Sequence, residues 1–180
     1  KIRDRIAELR EELEIIQKEQ GVRREHRKDQ QRVALVGYTN AGKSSVLRAM
    51  ANDNLVFVED RLFATLDPLT REVELGDGYA ALLTDTVGFI RKLPHHLVAS
   101  FRATLAEAKE ADLLLHVIDA SHPAWEEHRD VVDGVLADLG LSERPMRYVL
   151  NKMDALPPDQ VDAFRARIGN LSPGSIFASA

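Results

Sequence analysis

Apolar residues at the start of the chain fall at Ile2, Ile6, Leu9, Leu13 and Ile16, at alternating spacings of four and three. That period predicts a single apolar stripe on a helix otherwise covered in Glu, Arg and Lys. The stripe is too short for a long coiled coil, and Gln20 interrupts it. It predicts either an amphipathic helix docked on its own domain or one arm of a helical hairpin. From Arg32 the pattern changes to short apolar runs separated by helical periods. Strands are predicted at Val33–Val36, Arg71–Leu75, Tyr79–Thr84, Leu113–Ile118, Arg147–Leu150 and Ser175–Phe177. Helices are predicted over 43–51, 98–110, 123–139 and 158–169, with long loops at 52–70 and 86–97. Gly76-Asp77-Gly78 reads as a hairpin turn between the second and third strands. Strands alternating with helices predict an α/β fold. Its sheet is mostly parallel, with one antiparallel hairpin at an edge and helices on both faces.

Composition narrows the picture. An apolar content of 44% over 180 residues is enough for one real core with an appendage. The reading divides the chain into a helical arm and basic linker over 1–31 and a main domain over 32–180. The net charge of −5 argues against a surface built for bulk nucleic-acid binding. Charge is uneven, however, and Arg23, Arg24, Arg27 and Lys28 form a basic cluster. That stretch reads as a solvated helix end or linker, and it is the candidate place for an RNA contact. Absence of cysteine fits a reducing compartment, and no apolar run is long enough to span a membrane. The chain opens on Lys1 and stops at Ala180 directly after a predicted strand, so both ends are expected to be cuts in a longer protein.

Three short motifs supply chemistry. Gly37-Tyr38-Thr39-Asn40-Ala41-Gly42-Lys43-Ser44 lies between a buried strand and a helix, the required setting of a P-loop. Glycines let successive backbone N–H groups face phosphate oxygens, and the helix start adds its positive dipole end. Lys43 is expected to bridge β- and γ-phosphates, and the Ser44 hydroxyl to ligate Mg²⁺; Ser45 completes the phosphate-binding run. Asp85-Thr86-Val87-Gly88 follows a strand, placing the Asp85 carboxylate within reach of the metal and the Gly88 N–H near a γ-phosphate. Asn151-Lys152-Met153-Asp154 follows another strand. There Asp154 can accept from N1–H and the N2 amine of guanine. Adenine would leave that carboxylate unpaired. Asn151 would bridge loops, the Lys152 stem would lie along the base, and Ser179-Ala180 fits a final base-contacting loop. Each motif alone occurs by chance. Their order and spacing together predict a P-loop GTPase fold and a guanine-nucleotide switch.

Other residues take blander readings. Thr65 and Thr70 are both candidates for the switch threonine that closes over Mg²⁺ and γ-phosphate, and spacing does not choose between them. Phe89 stands where small signalling GTPases carry the glutamine that orients water, so slow hydrolysis is expected. His116 reads as a core histidine and Trp125 as a packing residue. Asp119 and Ser121 are expected to cap the next helix, and His95-His96 lacks a third metal ligand. Two other function classes are weighed: a non-hydrolysing guanine-binding interaction module, which Phe89 favours, and a P-loop ATPase or small-molecule kinase, which Asn151 and Asp154 oppose.

With these motifs in hand, the chain resembles the HflX family of translational GTPases, within the Obg–HflX group. The likeness rests on Val33–Ser44, on Leu62-Phe63-Ala64-Thr65-Leu66-Asp67-Pro68 and on Leu83-Thr84-Asp85-Thr86-Val87-Gly88-Phe89-Ile90-Arg91. It extends through 97–105 and 111–121, and the charged helix at 1–20 looks like the family's helical arm. The resemblance selects Thr65 as switch threonine and metal ligand beside Ser44 and Asp85, with Lys43, Thr65 and Gly88 as the catalytic set. It makes a hydrophobic Phe89 expected. It also implies a cytoplasmic GTPase that binds the ribosome, chiefly its large subunit, and helps dissociate subunits under stress; a monomer is expected. Ser45 departs from the Thr of many members, with little consequence because Ser44 is the ligand.

Overall fold

A computed structural model describes residues 31–52, 68–90 and 106–180. The predicted helical arm, Thr65, His95-His96 and the basic cluster lie outside the described residues. Among the described residues six strands form one sheet: β1 (Gln31–Gly37), β2 (Leu69–Gly76), β3 (Tyr79–Asp85), β4 (Leu113–Asp119), β5 (Met146–Asn151) and β6 (Ile176–Phe177). Their spatial order is β2-β3-β1-β4-β5-β6. Only β2 and β3 pair antiparallel, through the turn at 77–78; the other neighbours run parallel. The expected α/β sheet with one antiparallel edge hairpin is therefore present.

Period-two alternation in the strands decides which helix covers which face. Leu35, Leu115, Val117 and Val149 pack with Val46 and Leu47 of α1 (Lys43–Ala51). Ala34, Val36 and Leu114 face the other way, toward Ala108 in the helical stretch 106–110 and toward Val132 and Leu136 of α2 (Trp125–Asp138). Ile118 and Leu150 share a third cluster with Trp125 and with Ile168 of α3 (Pro158–Leu171). Among the described residues no helix is long and apolar enough to cross a membrane.

Element boundaries follow local chemistry. α1 starts where Gly42 takes a left-handed conformation (φ 93°) and ends at Asn52, also left-handed. β2 begins at Leu69, two residues before the predicted start, because Leu69 and Thr70 pair with Asp85 and Thr84. This shortens the expected loop and places Thr70 in the ladder, its hydroxyl 2.9 Å from that of Thr84. α2 begins at Trp125 rather than 123, with no side-chain cap. Register then aligns the motifs: Leu35 lies opposite Asp85, Gly37 opposite Val117, and Asp119 opposite Asn151. The carboxyl ends of β1, β3, β4 and β5 thus lie along one rim of the sheet. β1 is the point where successive connections depart to opposite sides, the usual location of a ligand crevice in such sheets.

Candidate functional site

The glycines of the first loop are dictated by crowding. A Cβ at Gly37 would strike the Val117 carbonyl oxygen of the adjacent strand. One at Gly42 would strike the side-chain amide of Asn151. The loop between them turns into α1, whose first turn carries no acidic residue to neutralise its dipole. Lys43 opens that helix and is buried, its Nζ donating to the carbonyls of Gly37 (3.4 Å) and Tyr38 (3.2 Å). Burial pulls its pKa from 10.5 down to about 8, although the nearby Asp85 carboxylate pushes it up. Ser45 is half-buried in the same first turn.

On the next residue, the Ser44 hydroxyl donates to Oδ2 of Asp85 at 2.5 Å, and Asp85 is 1% exposed. Thr86 anchors the loop after β3 by donating to the Leu35 carbonyl (2.6 Å). Gly88 lies so close to the first loop that a Cβ there would be 2.6 Å from Thr39 Cα. The next residue fastens the two loops: Phe89 N–H donates to Gly37 O (3.0 Å), and Thr39 N–H donates to Phe89 O (2.9 Å). The Phe89 side chain is fully buried in the cluster of Ala34, Val36, Leu114 and Val132. It is a core residue and presents no group that could orient water.

At the end of β5, Asn151 is fully buried and links three segments. Its Nδ2 donates to Ala41 O (3.2 Å), its Oδ1 accepts from Ala180 N–H (3.0 Å), and its carbonyl accepts from Ala120 N–H (2.9 Å). Lys152 has a left-handed backbone (φ 60°) and sends its Nζ to Asn40 O (3.0 Å) and Asp119 Oδ2 (2.8 Å). Asp154 lies exposed in a short 3-10 turn, its N–H donating to Ser179 Oγ (3.1 Å). The structure therefore brings Asn40, Ala41, Asn151, Lys152, Asp154, Ser179 and Ala180 to one end of the rim. It brings Lys43, Ser44, Asp85 and Gly88 to the other.

Three side chains take places that differ from, or add to, the sequence reading. Asp119 does not cap α2. Its Oδ1 accepts from the Ser121 N–H and hydroxyl, holding a turn four residues before the helix, while Oδ2 braces Lys152. Burial opposes ionisation, but these hydrogen bonds from Lys152 and Ser121 outweigh it and hold the carboxyl below its ordinary range. His116 is buried in β4 as expected, bonded through Nδ1 to Asp133 Oδ1 (3.0 Å), which also receives the Tyr148 hydroxyl on Oδ2 (2.8 Å). Trp125 packs edge-on against Phe164. The sequence reading missed the ring of Tyr38, which stacks on His128 of α2 at 3.8 Å and 4°. An aromatic inside a phosphate loop was the available signal, but its partner is ninety residues away.

Comparison with known proteins adds to this geometry. The 50S ribosome-binding GTPase family matches residues 32–152. A protein of Gluconacetobacter diazotrophicus described as GTPase HflX is 53% identical over 180 residues, covering all of this chain and 39% of its own length. The chain thus spans about two fifths of that relative. A GTP-binding protein of Sulfolobus solfataricus, solved in complex with GDP, is 26% identical with a TM-score of 0.59, over 98% of this chain and 51% of that one. Era of Aquifex aeolicus, bound to GDP and aluminium fluoride, shares the fold at 21% identity and a TM-score of 0.63, over 82% and 50%.

Proposed function

Because the chain belongs to the HflX family of 50S ribosome-binding GTPases, we propose that it is the nucleotide-binding part of a Mg²⁺-dependent GTPase switch. In this reading GTP is bound and hydrolysed at the rim, and nucleotide state governs attachment to the ribosome. Attachment is to the large subunit, in the cytoplasm, and promotes subunit dissociation. Residues 1–31 would form the helical arm preceding this domain.

The observation that carries the reading is Asn151. It is wholly buried and hydrogen-bonded at once to the phosphate loop and to the last loop, so phosphate and base would be held by one connected frame. Within that frame the backbone of 37–42 and the α1 start would receive the phosphates. Lys43 is desolvated and aimed along the loop, so its charge acts at full strength once phosphate oxygens replace the two carbonyls. Asp154 would accept from both guanine donors, with Lys152 along the base and Ser179 and Ala180 closing the pocket.

The donor set fits magnesium: a hydroxyl and a carboxylate, both hard oxygen ligands, sit 2.5 Å apart at Ser44 and Asp85. When bound, Mg²⁺ would neutralise charge on the β- and γ-oxygens. Thr65 would complete the set, and Gly88 would offer its N–H to the γ-phosphate. Phe89, packed in the core, leaves water unpositioned by that residue. Turnover should therefore be slow alone and faster on the ribosome.

The buried Phe89 also favours a second reading, a guanine-binding module that does not hydrolyse. Equilibrium binding of GDP and ADP with Mg²⁺ tests the shared premise. GDP should bind at least about a hundredfold tighter than ADP, and Asp154→Ala should abolish that preference. Equal affinities would sink both readings. Single-turnover hydrolysis then separates them, since the module would leave GTP intact.

A further inference from the structure

Behind the phosphate loop, on the side of α2, lies a cavity of about 240 Å³. Tyr38, Thr39 and Asn40 line it from the loop, His116 from β4, His122 from the segment before α2 and His128 from α2 itself. The loop is therefore not backed by close packing there. Along this cavity stands a column of rings. Tyr38 lies parallel to His128 at 3.8 Å, and His128 leans on His122 at 4.3 Å and 38°. His122 is itself fixed, its Nδ1 accepting the Ala124 N–H (3.0 Å) at the entry to α2.

We propose that His128 is a positioning residue for the nucleotide site, holding the phosphate loop in its binding shape through the ring of Tyr38. The backbone of Tyr38 makes this consequential. Its carbonyl accepts both Lys43 Nζ (3.2 Å) and the Ala41 N–H (3.3 Å), so the tilt of that peptide sets where the lysine waits. That peptide is held by hydrogen bonds at both ends, from Thr39 N–H to Phe89 O and from Ala41 N–H to Tyr38 O, and the stack adds a side-chain anchor to it. Without the stack the cavity gives the ring somewhere to go, and the hydrogen bonds alone hold the tilt of the peptide. Losing a stacked ring pair corresponds to a several-fold change in affinity.

The inference rests on guanine-nucleotide binding at this site, and its test separates the two. Dissociation of a fluorescent GDP analogue is measured for wild type, His128→Leu, His128→Phe, Tyr38→Leu and the Tyr38→Leu/His128→Leu double variant, with thermal unfolding recorded without nucleotide. Leucine keeps helix propensity and bulk but removes the stack; phenylalanine keeps the stack. His128→Leu should release nucleotide about fivefold faster, His128→Phe should restore the wild-type rate, and Tyr38→Leu combined with His128→Leu should add nothing further. A wild-type rate in His128→Leu overturns the proposal while leaving the functional reading intact. So does a phenylalanine variant as fast as leucine, which would reduce the contact to packing. If wild type fails to bind the analogue, the functional reading falls and this inference with it. Should His128→Leu unfold, the Tyr38→Leu and His128→Phe rates decide by the same criteria.

Discussion

Lys43 holds its charge in a buried place, at a cost that a bound phosphate would offset. Its pKa of about 8, set chiefly by burial, means that holding it protonated in the nucleotide-free fold costs about 3 kcal/mol relative to water. Its two carbonyl partners do not depend on it, since Gly37 O also accepts from Phe89 and Tyr38 O from Ala41. Lys43→Met should therefore stabilise the nucleotide-free protein by about 1–3 kcal/mol in urea unfolding while abolishing GDP binding. Bound phosphate would raise this pKa again. Above pH 8, binding must then take up a proton, and GDP affinity should fall up to about tenfold per pH unit. Calorimetry at pH 9 in two buffers of different ionisation enthalpy would detect that proton; identical heats would contradict the account. The position of Lys43 at the start of α1 was legible from residue type and spacing. The lysine's depressed pKa was not, because it depends on how deeply the fold buries that side chain, against the opposing charge of Asp85 on β3.

At the scale of elements, α2 is fastened to the sheet by a polar contact beneath an apolar cluster. Asp133 receives His116 from β4 and Tyr148 from β5, so one carboxylate joins three elements. Burial holds His116 below its ordinary value of 6.5, outweighing the hydrogen bond and charge of Asp133. A histidine kept neutral in the fold but free to protonate when unfolded stabilises the protein fully above about pH 6.5. That contribution declines as pH falls through the acid side. Stability measured by urea between pH 7 and 5 should fall, and His116→Phe should flatten the slope; an unchanged slope would mean that His116 is not the titrating group. Periodicity placed this helix within two residues and the burial of His116 correctly. It could not reveal the partner, because nothing in a single sequence links position 116 to 133 across the fold. The same limit hid the Tyr38–His128 stack and turned Asp119 into an expected cap. By contrast, α1 matched its predicted span because its ends are fixed by local chemistry, at Gly42 and Asn52.

For the whole molecule, Asn151 is the residue that joins the first glycine loop to the last loop. Asn151→Ala removes hydrogen bonds to Ala41 O and from Ala180 N–H and leaves both groups without that partner. The cost should be about 2 kcal/mol in the absence of nucleotide. A further loss should appear in the extra stability that saturating GDP confers, because phosphate and base would no longer be held in register. Urea midpoints with and without GDP measure both; an equal GDP increment in the variant and wild type would show that the halves act independently.

The order β2-β3-β1-β4-β5-β6 has another consequence. Asp85, the candidate sensor of the metal, leaves from β3, next to the outer strand β2. The candidate base reader leaves from β5, next to the opposite outer strand β6. The question of how many phosphates are present is thus put at one margin of the sheet, and the question of which base carries them at the other. Changes at the β2–β3 margin could retune when a partner is gripped without altering which nucleotide is chosen. The layout lets timing and selectivity evolve as separate traits on one scaffold.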